Sequence, residues 1–242
     1  MQYFEERDGK LIFRYNGETV QVEAWGQDSL RVRSRVLGEI SEECSALTEE
    51  VAVHDAVIFI QGEDSAEITN GKIKAVLYRQ GWGNALQITF YNEKGEVLLQ
   101  EIPNGGALCL KARYFRSLAG GSFYLKASFQ SNDKEKLYGM GQYQQERMNL
   151  KGCNLELAHR NSQASVPFYV SSLGYGFLWN NPAVGEVHFG TNTTEWEAWS
   201  TDQLDYWITA GEQPCDIEKN YAEVTGKAPM MPEYGLGFWQ CK

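Results

Sequence analysis

The chain has 242 residues, 43% of them hydrophobic and 13% aromatic, with a formal net charge of -10. That much apolar material builds a sizeable core and excludes a disordered chain. The negative balance argues against nucleic acid and anionic membrane surfaces as partners, because recognition of phosphate needs a basic footprint; neutral ligands stay open.

The start, Met1-Gln2-Tyr3-Phe4-Glu5-Glu6-Arg7-Asp8, is polar and acidic and lacks the apolar stretch of a signal peptide. No run approaches the roughly 18 apolar residues of a membrane span. Cys44, Cys109, Cys153, Cys215 and Cys241 are odd in number, scattered and without a C-x-x-C pair, so neither a disulfide framework nor a zinc site is expected. A reduced, cytoplasmic setting is the simplest reading.

In chain order, Asp8-Gly9 separates a short start from Leu11–Tyr15, and Asn16-Gly17 leads into the alternating run Thr19–Trp25. This is the signature of a two-residue hairpin. Leu30–Val36 alternates again, with arginines on the face opposite Leu30, Val32 and Ser34. Asn70-Gly71 joins Ala66–Thr69 to Lys72–Tyr78, and Asn92–Gly95 joins Leu86–Tyr91 to Glu96–Gln100. Regular turns with no long helical period between them predict packed antiparallel sheets, an all-β sandwich.

One segment reads as a helix. Pro214 suits a first helical position, Ile217, Tyr221 and Val224 fall on one face, and Gly226 with Pro229 ends the run. The stretch that follows, with Pro229 and Pro232, reads as a stiff connector. Tyr234–Cys241 then reads as an apolar strand with no partner of its own. The expectation is a sandwich over residues 1–212, a helix and linker over 213–232, and the beginning of a second domain over 233–242.

Chemistry-bearing motifs are sparse. His54, His159 and His188 stand in no H-E-x-x-H pattern, and no nucleophile elbow or phosphate loop is present, so neither a metal nor a cofactor is expected. Gly139-Met140-Gly141 reads as a glycine-shaped strand or bulge. Asp202, Asp205, Glu195 and Glu197 read as surface carboxylates. The polar block His159-Arg160-Asn161-Ser162-Gln163 precedes the apolar run Val166–Ser172. Fixed amide and guanidinium groups on a loop suit sugar hydroxyls; a hairpin loop satisfying its own backbone is the other reading.

YGMGQYQQ (138–145), HRNSQASVPFY (159–169), SSLGYGFLWNN (171–181), LDYWITAG (204–211) and YAEVTGKAPMMPEYGLGFWQCK (221–242) together resemble glycoside hydrolase family 31, in particular its bacterial α-xylosidase and α-glucosidase branch. The resemblance implies a galactose-mutarotase-like β-sandwich in front of a catalytic (β/α)8 barrel. Phe238-Trp239-Gln240 would belong to the first barrel strand, and Trp239 to the substrate pocket. It further implies that the loop at His159, Arg160, Asn161, Ser162 and Gln163 reaches over the barrel mouth. Here Asn161 and Ser162 depart from members with an Asn-Arg-Asp run, which alters the contacts. The implied activity is retaining hydrolysis of α-linked oligosaccharides or glycosides by two barrel aspartates beyond residue 242, with homo-oligomerisation of the full-length protein left open. The chain itself would be non-catalytic. A free-standing carbohydrate-binding module is the alternative.

Overall fold

The structure, a computed structural model, describes residues 3–49, 51, 56–80, 85–103 and 110–240. His54, Cys109 and Cys241 lie outside the described residues. The chain opens with β1 (Phe4–Arg7), β2 (Lys10–Tyr15), β3 (Glu18–Ala24) and β4 (Ser29–Val36), all antiparallel. Asp8 and Gly9 take φ of 52° and 71°, and Asn16 and Gly17 take 50° and 80°. Two residues of positive φ make a turn whose twist matches that of the flanking strands, so the two glycine dipeptides set the register.

A second meander follows: β5 (Val57–Gln61), β6 (Ser65–Asn70), β7 (Ile73–Gln80), β8 (Ala85–Asn92) and β9 (Val97–Gln100). Then come β10 (Arg113–Ser117), β11 (Phe123–Gln130), β12 (Leu137–Gln142), β13 (Asn154–Leu157) and β14 (Ala164–Ser171). The last strands are β15 (Tyr175–Trp179), β16 (Gly185–Phe189), β17 (Thr193–Thr201) and β18 (Leu204–Ala210).

These strands form an eight-stranded sheet, β1-β2-β3-β4-β18-β15-β14-β12, and two five-stranded sheets, β5-β6-β7-β8-β9 and β10-β11-β17-β16-β13. A bridge between Glu101 and Phe129 and the bond from Ile102 N to Ser128 O (3.1 Å) stitch the two smaller sheets together. One core joins all three: Val22 and Leu30 from the large sheet, Ile68 and Ile88 from the first small one, Phe129 and Trp196 from the second. Phe177 meets Trp196 at 5.2 Å and Trp179 stacks on Trp196 at 5.5 Å, tying the large sheet to a small one through aromatic contact. The expected all-β sandwich is the observed architecture.

The outer face of the large sheet is covered as well. Helix α1 (Pro214–Thr225) lays Ile217 and Val224 against Phe168, Leu178 and Trp207, and Tyr221 stacks on Phe168 at 3.9 Å. Pro214 occupies the first turn, Asp216 accepts from the Gln213 amide at 3.0 Å, and Gly226 at φ 93° follows the helix, as its sequence signals predicted.

Beside the helix, residues 41–46 cross the same face as a strap. Arg33 Nη1 donates to Ser41 O (2.6 Å), Arg31 Nη2 to Glu43 O (2.7 Å), and Ala46 N to Asn180 Oδ1 (2.9 Å). The arginine face of β4 is therefore roofed, and both guanidinium groups are 0% exposed.

Two expectations are corrected. Asp205 is not a surface carboxylate: it is buried on β18 because Arg31 on the neighbouring strand holds it. Tyr234–Cys241 does not form a strand over its described part. Glu233–Gly235 makes a single 3-10 turn, Leu236–Gln240 has no ladder, and Phe238 is 93% exposed. An extended segment holds its conformation by pairing, and among the described residues no strand lies beside this one.

Candidate functional site

β13 belongs to a small sheet and β14 to the large one, so the connection between them crosses from one layer to the other. Its tip is a tight hairpin: Arg160 N donates to Gln163 O (3.3 Å) and Gln163 N to Arg160 O (3.0 Å). Asn161 and Ser162 occupy the two corners, Ser162 with φ 69°. The backbone thus satisfies itself, and among the described residues the side chains of Asn161, Ser162 and Gln163 have no hydrogen-bond partner.

The flanking side chains brace this turn. Arg160 donates to both oxygens of Glu156, Nε to Oε2 at 2.8 Å and Nη2 to Oε1 at 2.5 Å. Arg160 holds the Glu156 carboxyl below its ordinary value, and Glu156 holds the guanidinium above its own. His159 Nδ1 accepts the Ser165 amide at 3.3 Å, which leaves the proton on Nε2 and presents that nitrogen as a donor. Tyr143 OH donates to Glu156 O (2.9 Å) and shares a bond with Ser165 Oγ (2.8 Å), fixing the base of the hairpin. Burial pushes the Tyr143 phenol up.

A cavity of about 470 Å³ opens beside His159, walled by Leu157, Ala158, Pro167, Trp179 and Val184. None of the described residues lining it is a carboxylic acid. Its chemistry is that of a carbon surface with a few fixed donors and acceptors, which suits binding of a neutral molecule and offers no proton-transfer pair.

The structure therefore gathers five of the six expected residues, His159, Arg160, Asn161, Ser162 and Gln163, on one turn. Trp239 is not joined to them: it is 77% exposed and donates Nε1 to Gly235 O at 3.0 Å within its own segment. The supporting residues Glu156, Tyr143 and Ser165 were not singled out beforehand; the acid four positions before Arg160 was the available signal. Among the described residues no group of three His, Cys, Asp or Glu could hold a metal ion, and no helix is long and apolar enough to cross a membrane.

The sequence profile described as the glycosyl hydrolase 31 N-terminal galactose mutarotase-like domain matches residues 19–187. The chain belongs to this family. It is 41% identical to an uncharacterized family 31 glucosidase ORF2 from Pseudescherichia vulneris, over 98% of this chain and 47% of that protein. It is 30% identical to α-xylosidase A from Aspergillus niger, over 99% of this chain and 35% of that protein. Among solved structures, a GH31 α-xylosidase from a soil metagenome, complexed with xylose, superposes with a TM-score of 0.91 at 46% identity. That match covers 98% of this chain and 36% of the xylosidase. The GH31 chain thus spans about half or less of the length of these relatives, and corresponds to their N-terminal domain.

Proposed function

We propose that this domain serves a retaining α-glycoside hydrolase, an α-xylosidase or α-glucosidase, by packing on a catalytic barrel and lending its 159–163 hairpin to the substrate pocket. The observation that carries the reading is the hairpin itself. Its backbone is closed, its Arg160 is locked to Glu156, its Asn161, Ser162 and Gln163 side chains are left unengaged, and its His159 lines a carbon-walled cavity. Polar side chains held ready at no cost to the fold are what a sugar's hydroxyl rim requires.

The apolar residues after the helix fit the packing role. Met230, Tyr234, Leu236, Phe238 and Trp239 are all exposed, and such a cluster suits a covering neighbour. The domain alone is non-catalytic in this reading, since retention needs two carboxyl groups about 5–5.5 Å apart astride the glycosidic bond.

The test is a chimera in which this chain replaces the N-terminal part of the Pseudescherichia vulneris relative. The chimera is expected to release nitrophenol from aryl α-xylosides or α-glucosides while the chain alone releases none. Asn161→Ala is expected to raise the KM of the chimera about tenfold, the loss of roughly one charge-free hydrogen bond in a desolvated site. An unchanged KM and kcat overturn the hairpin's role. A free-standing carbohydrate-binding module is the second reading, favoured by the same cavity; calorimetric titration of the chain with xylose and glucose separates the two.

A further inference from the structure

The cavity beside His159 does not stand alone. The turn Asn180–Ala183 that follows β15, together with Ser45 of the strap, also walls a second hollow of about 540 Å³. The far side of that hollow is formed by Arg35, Glu43, Ser200, Asp202 and Gln203. The two adjoin along a shared wall, and their surfaces differ: carbon on the hairpin side, hydroxyl, amide and carboxylate on the strap side.

We propose that the paired hollows form an accessory cleft that takes a neutral oligosaccharide, continuing outward from the sugar at the hairpin. This rests on the substrate reading of the hairpin given above and extends it to a ligand of several linked sugars.

The shared wall is rigid. Asn180 accepts from Ala46 N and donates to Asp205 Oδ2, each at 2.9 Å. Asn181 Nδ2 donates to Thr201 Oγ1 and Gln203 O, both at 3.1 Å, and Asn181 Oδ1 accepts from Ala183 N at 3.0 Å. The strap side is tied in the same way, with Ser41 N donating to Gln203 Oε1 at 2.9 Å. A ligand would find these positions already ordered, which removes much of the entropic cost of binding.

What remains free selects the ligand. The Glu43 and Asp202 carboxylates and the Ser45 hydroxyl have no hydrogen-bond or ion-pair partner among the described residues. Two carboxylates facing the single guanidinium of Arg35 disfavour phosphate and sulfate, and acceptors of this kind pair with hydroxyl donors. Pro167, Leu157 and Val184 offer the other hollow a carbon surface. A pyranose has both halves of this pattern, a flat C–H face and a rim of hydroxyls, and a chain of them can use both hollows at once. Both volumes lie within the range of small-ligand sites.

Amide spectra of the chain titrated with maltotetraose, and separately with xylose, test the proposal. Maltotetraose is expected to shift Ala46 and Val184 together with Asp202 and Gln203, whereas xylose moves fewer of them. Ser45 is exposed and makes no side-chain bond, so Ser45→Trp fills the shared wall without loosening the fold; it is expected to weaken maltotetraose at least about tenfold. Asp202→Ala, equally exposed, is expected to weaken it by a smaller factor. Shifts confined to residues 159–165, an unchanged affinity in Ser45→Trp, or no shift anywhere each overturn the cleft. The hairpin's role is judged separately by the KM of the chimera, so the two readings can fail independently.

Discussion

Arg31 on β4 and Asp205 on β18 form a two-pronged ion pair, Nε to Oδ1 at 3.1 Å and Nη2 to Oδ2 at 2.6 Å, in the middle of the large sheet. The Arg31 guanidinium also lies 4.6 Å from the centre of the Trp25 ring and holds the Glu43 carbonyl, so one side chain fixes a strand pair and the strap above it. Both charges are out of water, which makes the pair far more sensitive to losing one partner than to losing both.

Asp205→Ala is therefore expected to destabilise the domain by about 3–5 kcal/mol, because it strands a buried guanidinium. Replacing both residues with apolar ones, Arg31→Met with Asp205→Leu, is expected to recover most of that loss. Urea denaturation of the three proteins measures this. A single variant within about 1 kcal/mol of the parent would contradict it.

The strap supplies a pH prediction through Glu42, which accepts from Lys10 Nζ at 2.9 Å and lies 2.8 Å from Arg33 Nη1. Partial burial raises the Glu42 carboxyl, and the hydrogen bonds from Lys10 and Arg33 outweigh it, leaving the group below its ordinary value. A depressed acid contributes stability above its unfolded pKa of about 4.3 and loses it as the pH falls through the folded value. Protection against hydrogen exchange at Ser41–Ala46, taken relative to the intrinsic rate at each pH, should thus fall on acidification below that point. Glu42→Gln should exchange faster at neutral pH and respond less to acid; an identical pH response in both proteins rules the linkage out.

At the hairpin, Glu156 should titrate below a free carboxylate in carbon-13 spectra, since Arg160 is the chief cause of its lowering. Arg160→Gln is expected to return the Glu156 midpoint to the ordinary range and to broaden the amide signals of residues 160–163. A midpoint that stays low in the variant would place the cause elsewhere.

Gly141 pairs with Ser165 at φ +90°, next to a register shift in the β12–β14 pair. A Cβ there would run into the Ala164 carbonyl oxygen and come within 2.8 Å of Val166 N. Gly141→Ala is expected to cost about 1–3 kcal/mol from backbone strain alone, more if the strands must part. Thermal melting reads this directly; a variant as stable as the parent would show that the bulge can relax.

Much of this architecture was legible because local chemistry specified it. Asn16-Gly17 and Asn70-Gly71 demand tight turns, alternation named one face of each strand, and Pro214 and Gly226 bounded the helix to the residue. The glycine pair at 139 and 141 was read as a glycine-shaped strand or bulge; the register shifts between them, and Met140 takes a φ of 70°. What could not be read is what lies far apart in sequence. Alternation put Arg31 and Arg33 opposite the core face of β4, yet nothing near them says that residues 41–46 return to roof them. Asp205 looked like a surface acid for the same reason. The polar block at 159–163 was visible as composition, whereas the closure of its backbone, which frees Asn161 and Ser162, is a property of the fold. Tyr234–Gln240 was read as a strand from its apolar character alone, and a strand is a property of pairs.

The pairing of β4 with β18 joins residues 174 positions apart in the sequence, as Arg31 and Asp205 are. During synthesis on the ribosome, the four opening strands must wait with one edge open until β18, Leu204–Ala210, has emerged. Long-range closure of this kind is slow and leaves intermediates exposed to aggregation. Nascent chains of this domain should depend on chaperones until β18 has emerged and become protease-resistant only after it has paired with β4.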